Sequence, residues 1–168
     1  WNGQPYVVLL YHPTITDFAA VRDHMAAITA VLEQSGLNII AITPNSDPGS
    51  DGIVAAINDF AARCARVKKI SFLERTTFVN MLRHAAAMVG NSSAGILEAP
   101  TLGLPAINIG LRQRGREHAD NVIFTEYDPA EITAALTRAT TDTAFRALVA
   151  QRRTPYGDGS ASRKIADI

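Results

Sequence analysis

MVGNSSAGILEAPTLGLPAINIGLRQRGRE, residues 88–117, decides how the rest of the chain is read. An apolar run over 85–89 stops at Gly90, and a short polar loop follows with Asn91, Ser92 and Ser93. Ala94 to Leu102 has the composition of a helix and is closed by Gly103. Pro105 opens a second apolar run, Ala106 to Ile109, which ends at Gly110 with Arg112, Arg114 and Arg116 just beyond. The order expected is strand, turn, helix, strand, basic loop. The first N–H groups of a helix have no partner inside it, and the helix dipole adds partial positive charge there. Small hydroxyl residues at that point admit and hydrogen-bond a phosphate. The chemistry suggested is anion binding, with a nucleotide diphosphate as the fitting ligand.

Working outward, the same alternation recurs. YVVLLY (6–11) reads as a buried strand of β-formers. Thr16 stands as N-cap of a helix from Asp17, with Phe18, Val21, Met25, Ile28, Val31 and Leu32 at helical spacing and Gly36 as the stop. Leu37 to Ile42 is a second strand, ending in the turn-rich loop TPNSD (43–47). Ile53, Ile57, Phe60, Ala61 and Cys64 mark a second helix, Val67 to Leu73 a third strand, and Phe78, Met81, Leu82 and Ala85 a third helix. Asn121 to Thr125 is a late strand. Asp128, Pro129 and Glu131 form a helix start with Glu131 reaching back, and helical runs follow around 132–139 and 145–152. The tail begins as a turn and ends as the start of a helix. About six alternations of strand and helix imply an α/β fold: a Rossmann-like, mostly parallel sheet of about six strands with helices on both faces. Ligands of such sheets bind beyond the carboxyl ends of the strands, and that single edge would gather His12, Asn45, Ser92, Ser93 and Arg112.

Composition narrows the function classes. The 168 residues suit one domain, and a 47% hydrophobic content suffices for a sizeable core. Lys+Arg and Asp+Glu both number 16, which argues against a broad nucleic-acid surface or a polybasic membrane patch. No apolar run approaches the roughly 20 residues of a membrane-spanning helix. The lone Cys64 excludes an internal disulfide and a thiolate metal cluster, and fits a reducing cytoplasm. No two histidines have metal-ligand spacing, and GxSxG, GxxxxGK(S/T) and GxGxxG are all missing. The chain starts at Trp1 rather than Met, as a piece or processed form of a longer protein would.

Each candidate residue also has a plainer reading. Ser92 and Ser93 serve equally as a helix cap. Glu98 is either a surface glutamate or a carboxylate accepting two ribose hydroxyls. Arg112 and Arg116 suit phosphate or carboxylate, or simply form a solvated basic loop. His12, at a strand end before Pro13, faces a cleft or is structural. His24, His84 and His118 read as helix or loop surface residues with no role, and Cys64 as an inert residue on the core face of its helix.

Residues 90–117 resemble the signature of the hydrolysing UDP-N-acetylglucosamine 2-epimerase family, which makes N-acetylmannosamine-type sugars for sialic and legionaminic acid synthesis. YHPTITD (11–17), TPNSDPGSDGIVAAIN (43–58) and PYGDGSASRKI (155–165) agree with it in the same order. The resemblance implies two Rossmann-like domains facing a cleft, the GT-B arrangement, of which these 168 residues match the C-terminal one. It implies anti elimination of UDP across C1–C2 to give a glycal, addition of water, and release of the 2-epimeric sugar and UDP, with no metal or other cofactor. Carried over by position, His12 lies near the diphosphate and is implicated in catalysis. Asn45 contacts the nucleotide, the backbone near Leu73 meets the uracil, and Ser92 and Ser93 bind the diphosphate. Glu98 takes the ribose and Arg112 lies near the nucleotide.

The departure from the family pattern is the missing N-terminal domain, which supplies the acidic residues that move the C2 proton and an arginine for the diphosphate. No pair of carboxylates here replaces them; Asp47 and Asp51 look like loop residues. The expectation is a UDP-binding half, inactive alone, whose partners are a UDP-N-acetylhexosamine and the missing domain, with a homodimer in the longer protein. The alternatives are the nucleotide-sugar-binding domain of a GT-B glycosyltransferase and a non-catalytic nucleotide-binding module.

Overall fold

The computed structural model describes residues 3–14 and 19–167. The expectations on Thr16, Asp17 and Phe18 lie outside the described residues. Six strands form one sheet: β1 (Tyr6–Leu10), β2 (Asn38–Ile42), β3 (Val67–Ile70), β4 (Ala87–Gly90), β5 (Ala106–Ile109) and β6 (Val122–Thr125). The spatial order is β3-β2-β1-β4-β5-β6 and every neighbouring pair is parallel. Chain order reverses between β1 and β4, so these two strands flank the topological switch point, where ligands of such sheets bind.

Both faces of the sheet are covered, which is why its central strands are continuously apolar rather than alternating. Val7, Leu9 and Tyr11 point to one face, packed by α1 (Val21–Gln34), α2 (Ser50–Arg63), α6 (Pro129–Thr141) and α7 (Thr143–Val149). Val8 and Leu10 point to the other, covered by α3 (Arg75–His84), α4 (Ala94–Leu97) and α5 (Ala99–Leu102). The expected core stripe of α1 is buried through Val21, Met25, Ile28, Val31 and Leu32. The last helix, α8 (Ala161–Ala166), buries none of its residues.

Several local expectations need correction. β3 ends at Ile70, not Leu73: it is an edge strand whose only ladder partner among the described residues is β2, and that pairing runs out at Ile42. Phe72 is left 81% exposed on the loop. The single helix expected over 94–102 breaks at Glu98, because Pro100 brings no N–H and its ring collides with the preceding turn. Cys64 is buried but lies just past α2, in extended backbone, so the face of that helix is carried by Ile53, Ile57 and Phe60. Asp128 caps α6 by accepting from the Ala130 N–H at 2.8 Å, as expected. Glu131 reaches further back than a capping box requires, to the Glu126 N–H at 3.0 Å. The helical run expected to Arg152 stops at Val149.

Candidate functional site at the carboxyl edge of the sheet

β4 ends on Gly90 with φ +135°, a backbone conformation that side-chain-bearing residues rarely adopt. A Cβ there would sit on the carbonyl of Leu10, so only glycine lets β4 approach β1 this closely. The next residue, Asn91, is fully buried and joins the two strand ends. Its Oδ1 accepts the His12 backbone N–H at 2.7 Å, and its Nδ2 donates to the His12 carbonyl at 2.8 Å. Its own carbonyl accepts from Arg112 Nη1 and from Gln113 Nε2, both at 3.0 Å. Gln113 Oε1 in turn accepts from Arg116 Nη1 at 2.7 Å. His12 and the basic turn after β5 are thus tied to one asparagine at the switch point.

The electrostatics follow from this packing. His12 is 8% exposed, and among the described residues its Nδ1 has no hydrogen-bond partner. Burial lowers its pKa below the ordinary histidine range, and the Arg112 guanidinium lowers it further; the Asp47 carboxylate opposes both. The ring is therefore neutral near pH 7, with a cation beside it.

Ser92 is buried and its hydroxyl accepts the Ala94 N–H at 3.3 Å, whereas the Ser93 hydroxyl makes no capping bond to α4. The capping reading thus holds for Ser92 alone. The helix behind them is one turn long, so its dipole is small. What the turn offers an anion is local: N–H groups and hydroxyls rather than the field of a long helix.

The remaining expected residues take distinct places on the same edge. Asn45 is exposed on the loop after β2, its carbonyl accepting from the Ser50 hydroxyl. Leu73 is half-buried on the loop after β3, packed on the second face. Glu98 sits at the α4–α5 break, mostly covered, with Arg75 Nη1 at 3.2 Å. It is neither a bare surface glutamate nor an unengaged acceptor. The structure brings His12 and Arg112 together through Asn91, and Ser92 follows Asn91 in the chain. It leaves Asn45, Leu73 and Glu98 on separate loops. Asn91, Gln113 and Arg75 were not selected from sequence. Gln113, 2% exposed, stands among arginines in a stretch that reads as surface, and no local pattern marks it as buried. His24, read as a surface residue, is stacked against Tyr127.

The model of the family described as UDP-N-acetylglucosamine 2-epimerase matches residues 1–168. The chain belongs to that family. Among its epimerase relatives, the UDP-N-acetylglucosamine 2-epimerase of Neisseria meningitidis serogroup B is 36% identical over 144 residues, 83% of this chain and 37% of that protein. The hydrolysing UDP-N,N'-diacetylbacillosamine 2-epimerase of Legionella pneumophila is 31% identical over 96% of this chain and 41% of its own length. A crystal structure of the Neisseria meningitidis UDP-GlcNAc 2-epimerase bound to UDP-GlcNAc shares the fold, with a TM-score of 0.79 at 18% identity over 99% of this chain and 45% of that one. This epimerase-family chain therefore spans less than half the length of these relatives.

Proposed function

We propose that this chain is the UDP-holding domain of a hydrolysing 2-epimerase acting on a UDP-2-acetamido sugar. The observation that carries the reading is the Asn91 clamp, which fixes His12, Arg112 and Gln113 at the switch point beside the two serines. The Ser92 and Ser93 turn and Arg112 hold the diphosphate. Glu98, oriented by Arg75, accepts from the ribose hydroxyls; Asn45 and the backbone at Leu73 take the nucleoside end.

When the C1–O bond breaks, negative charge grows on the departing diphosphate, and donors already fixed around it stabilise that charge where it develops. His12 starts neutral. An arriving diphosphate raises its pKa, so His12 can take up a proton and share it with the leaving oxygen. Loss of the C2 proton completes an anti elimination to the glycal and UDP, and water then adds to the glycal to give the 2-epimeric sugar. That scheme asks for no metal. The group that moves the C2 proton comes from a second domain, closing on this one in a GT-B arrangement in the cytoplasm, so this chain alone does not turn over.

Titration calorimetry with UDP tests the reading. UDP should bind the wild-type chain, and binding should weaken about tenfold or more in Ser92→Ala/Ser93→Ala and in Glu98→Ala, the size of losing one or two charge-assisted hydrogen bonds. Unchanged affinity in both variants would sink the site. Epimerisation of UDP-N-acetylglucosamine by the isolated chain would sink the claim of inactivity.

A further inference from the structure

Tyr127 lies between β6 and α6, outside every motif that pointed to the site. Its ring lies flat on His24 of α1, centroids 3.4 Å apart and planes 2° from parallel. Its hydroxyl meets that of Tyr11 at 2.9 Å, the two rings crossing edge to face at 6.5 Å. Tyr11 is fully buried and directly precedes His12. On its remaining side Tyr127 abuts Gly110, the first residue past β5 and two before Arg112. Gly110 has φ +78°, and a Cβ there would come within 2.7 Å of Tyr127 Cζ and closer still to its oxygen.

We propose that Tyr127 is a positioning residue, its phenolic oxygen acting as the spacer that sets His12 against the Arg112–Gln113 turn. β1 and β5 are not neighbours; β4 lies between them. The ladders of β4 set the strands, and groups that reach past β4 set the loops at their ends. Asn91 does so from within the edge. Tyr127 does so from the α1 side, its oxygen meeting the Tyr11 hydroxyl and filling the space that a side chain on Gly110 would take. A residue that merely filled the core would need the ring but not the oxygen. The oxygen is the atom that a Cβ on Gly110 would strike first, and the one that meets the buried Tyr11 hydroxyl.

The readout needs no nucleotide. Arg112 depresses the His12 pKa and Asp47 raises it, so the His12 titration reports where the basic turn stands. Its imidazole signal, assigned with His12→Gln, is followed by NMR across pH in the wild-type chain, in Tyr127→Phe and in Tyr11→Phe. Removing the spacer should let the turn relax away from His12 and move the midpoint upward by several tenths of a unit. Ile132→Val, a packing change on the same face, should lower the unfolding temperature without moving it. An unmoved His12 midpoint in folded Tyr127→Phe overturns the proposal. If that variant does not fold, Tyr11→Phe decides by the same criterion.

The consequence for nucleotide binding rests on the proposed function. Both variants should weaken UDP binding severalfold. A shifted His12 midpoint with unchanged UDP affinity would count against the UDP reading and leave the positioning role standing.

Discussion

His12 shows how a single residue ties fold stability to the site. In the unfolded chain it titrates near its ordinary value of 6.5, and in the fold its pKa is lower because it is buried beside Arg112. Between the folded and unfolded values the unfolded chain binds more protons, so stability rises with pH across that window and falls on acidification. The thermal unfolding midpoint should drop between about pH 7.5 and about pH 5.5, the range spanning the ordinary histidine pKa. The drop should be smaller in His12→Gln, which cannot charge. Equal slopes in the two proteins would mean that His12 is not held neutral. Asn91 acts at the same scale by a different route. Its amide satisfies both backbone groups of a residue in a neighbouring loop, so the imidazole is placed by main chain rather than by its own contacts.

At the scale of elements, the short pieces around the site are defined by their ends. α4 and α5 are one turn each because Pro100 interrupts them, and the interruption puts Glu98 at a junction where it meets Arg75. α6, in contrast, is thirteen residues long and starts on an explicit cap. Asp128→Ala should cost about 1 kcal/mol of stability by urea unfolding, the usual value of an N-cap side chain. Asp128→Asn should retain most of it. A loss well above that in the alanine variant would show that the cap also anchors the Tyr127 segment beside it. Most of these starts and stops were legible in the sequence: Gly36, Gly103, Asp128 and Pro129 all punctuate as residue type dictates. The end of β3 was not, since Ser71, Phe72 and Leu73 have no local reason to leave the sheet. The length of the neighbouring strand ended it.

Across the whole molecule, the packed sheet and the terminal helix are finished differently. The core elements are closed, but α8 carries Ile165 at 70% exposure and buries nothing. The Tyr156 hydroxyl donates to the Glu117 carbonyl, linking the tail to the basic loop. Amide exchange in α8 should accordingly be orders of magnitude faster than in α1, whose apolar face is fully packed. Comparable protection in the two helices would contradict the exposure of α8.

By itself the sequence determined the α/β class, the core faces of the helices and the family, because period, punctuation and motif order are local properties of the chain. It also selected the loops that hold the candidate residues, since in a parallel sheet every strand delivers its following loop to the same edge. Only the tertiary structure decided which residues on that edge act together. Asn91 joins His12 across 79 positions, Gln113 is buried under an arginine-rich loop, and Tyr11 meets Tyr127 across 116 positions. Such pairings depend on strand order, on close backbone approach at Gly90 and on room for the Tyr127 ring at Gly110. None of these leaves a periodic trace in the neighbouring residues, because the partner of each group follows a different strand.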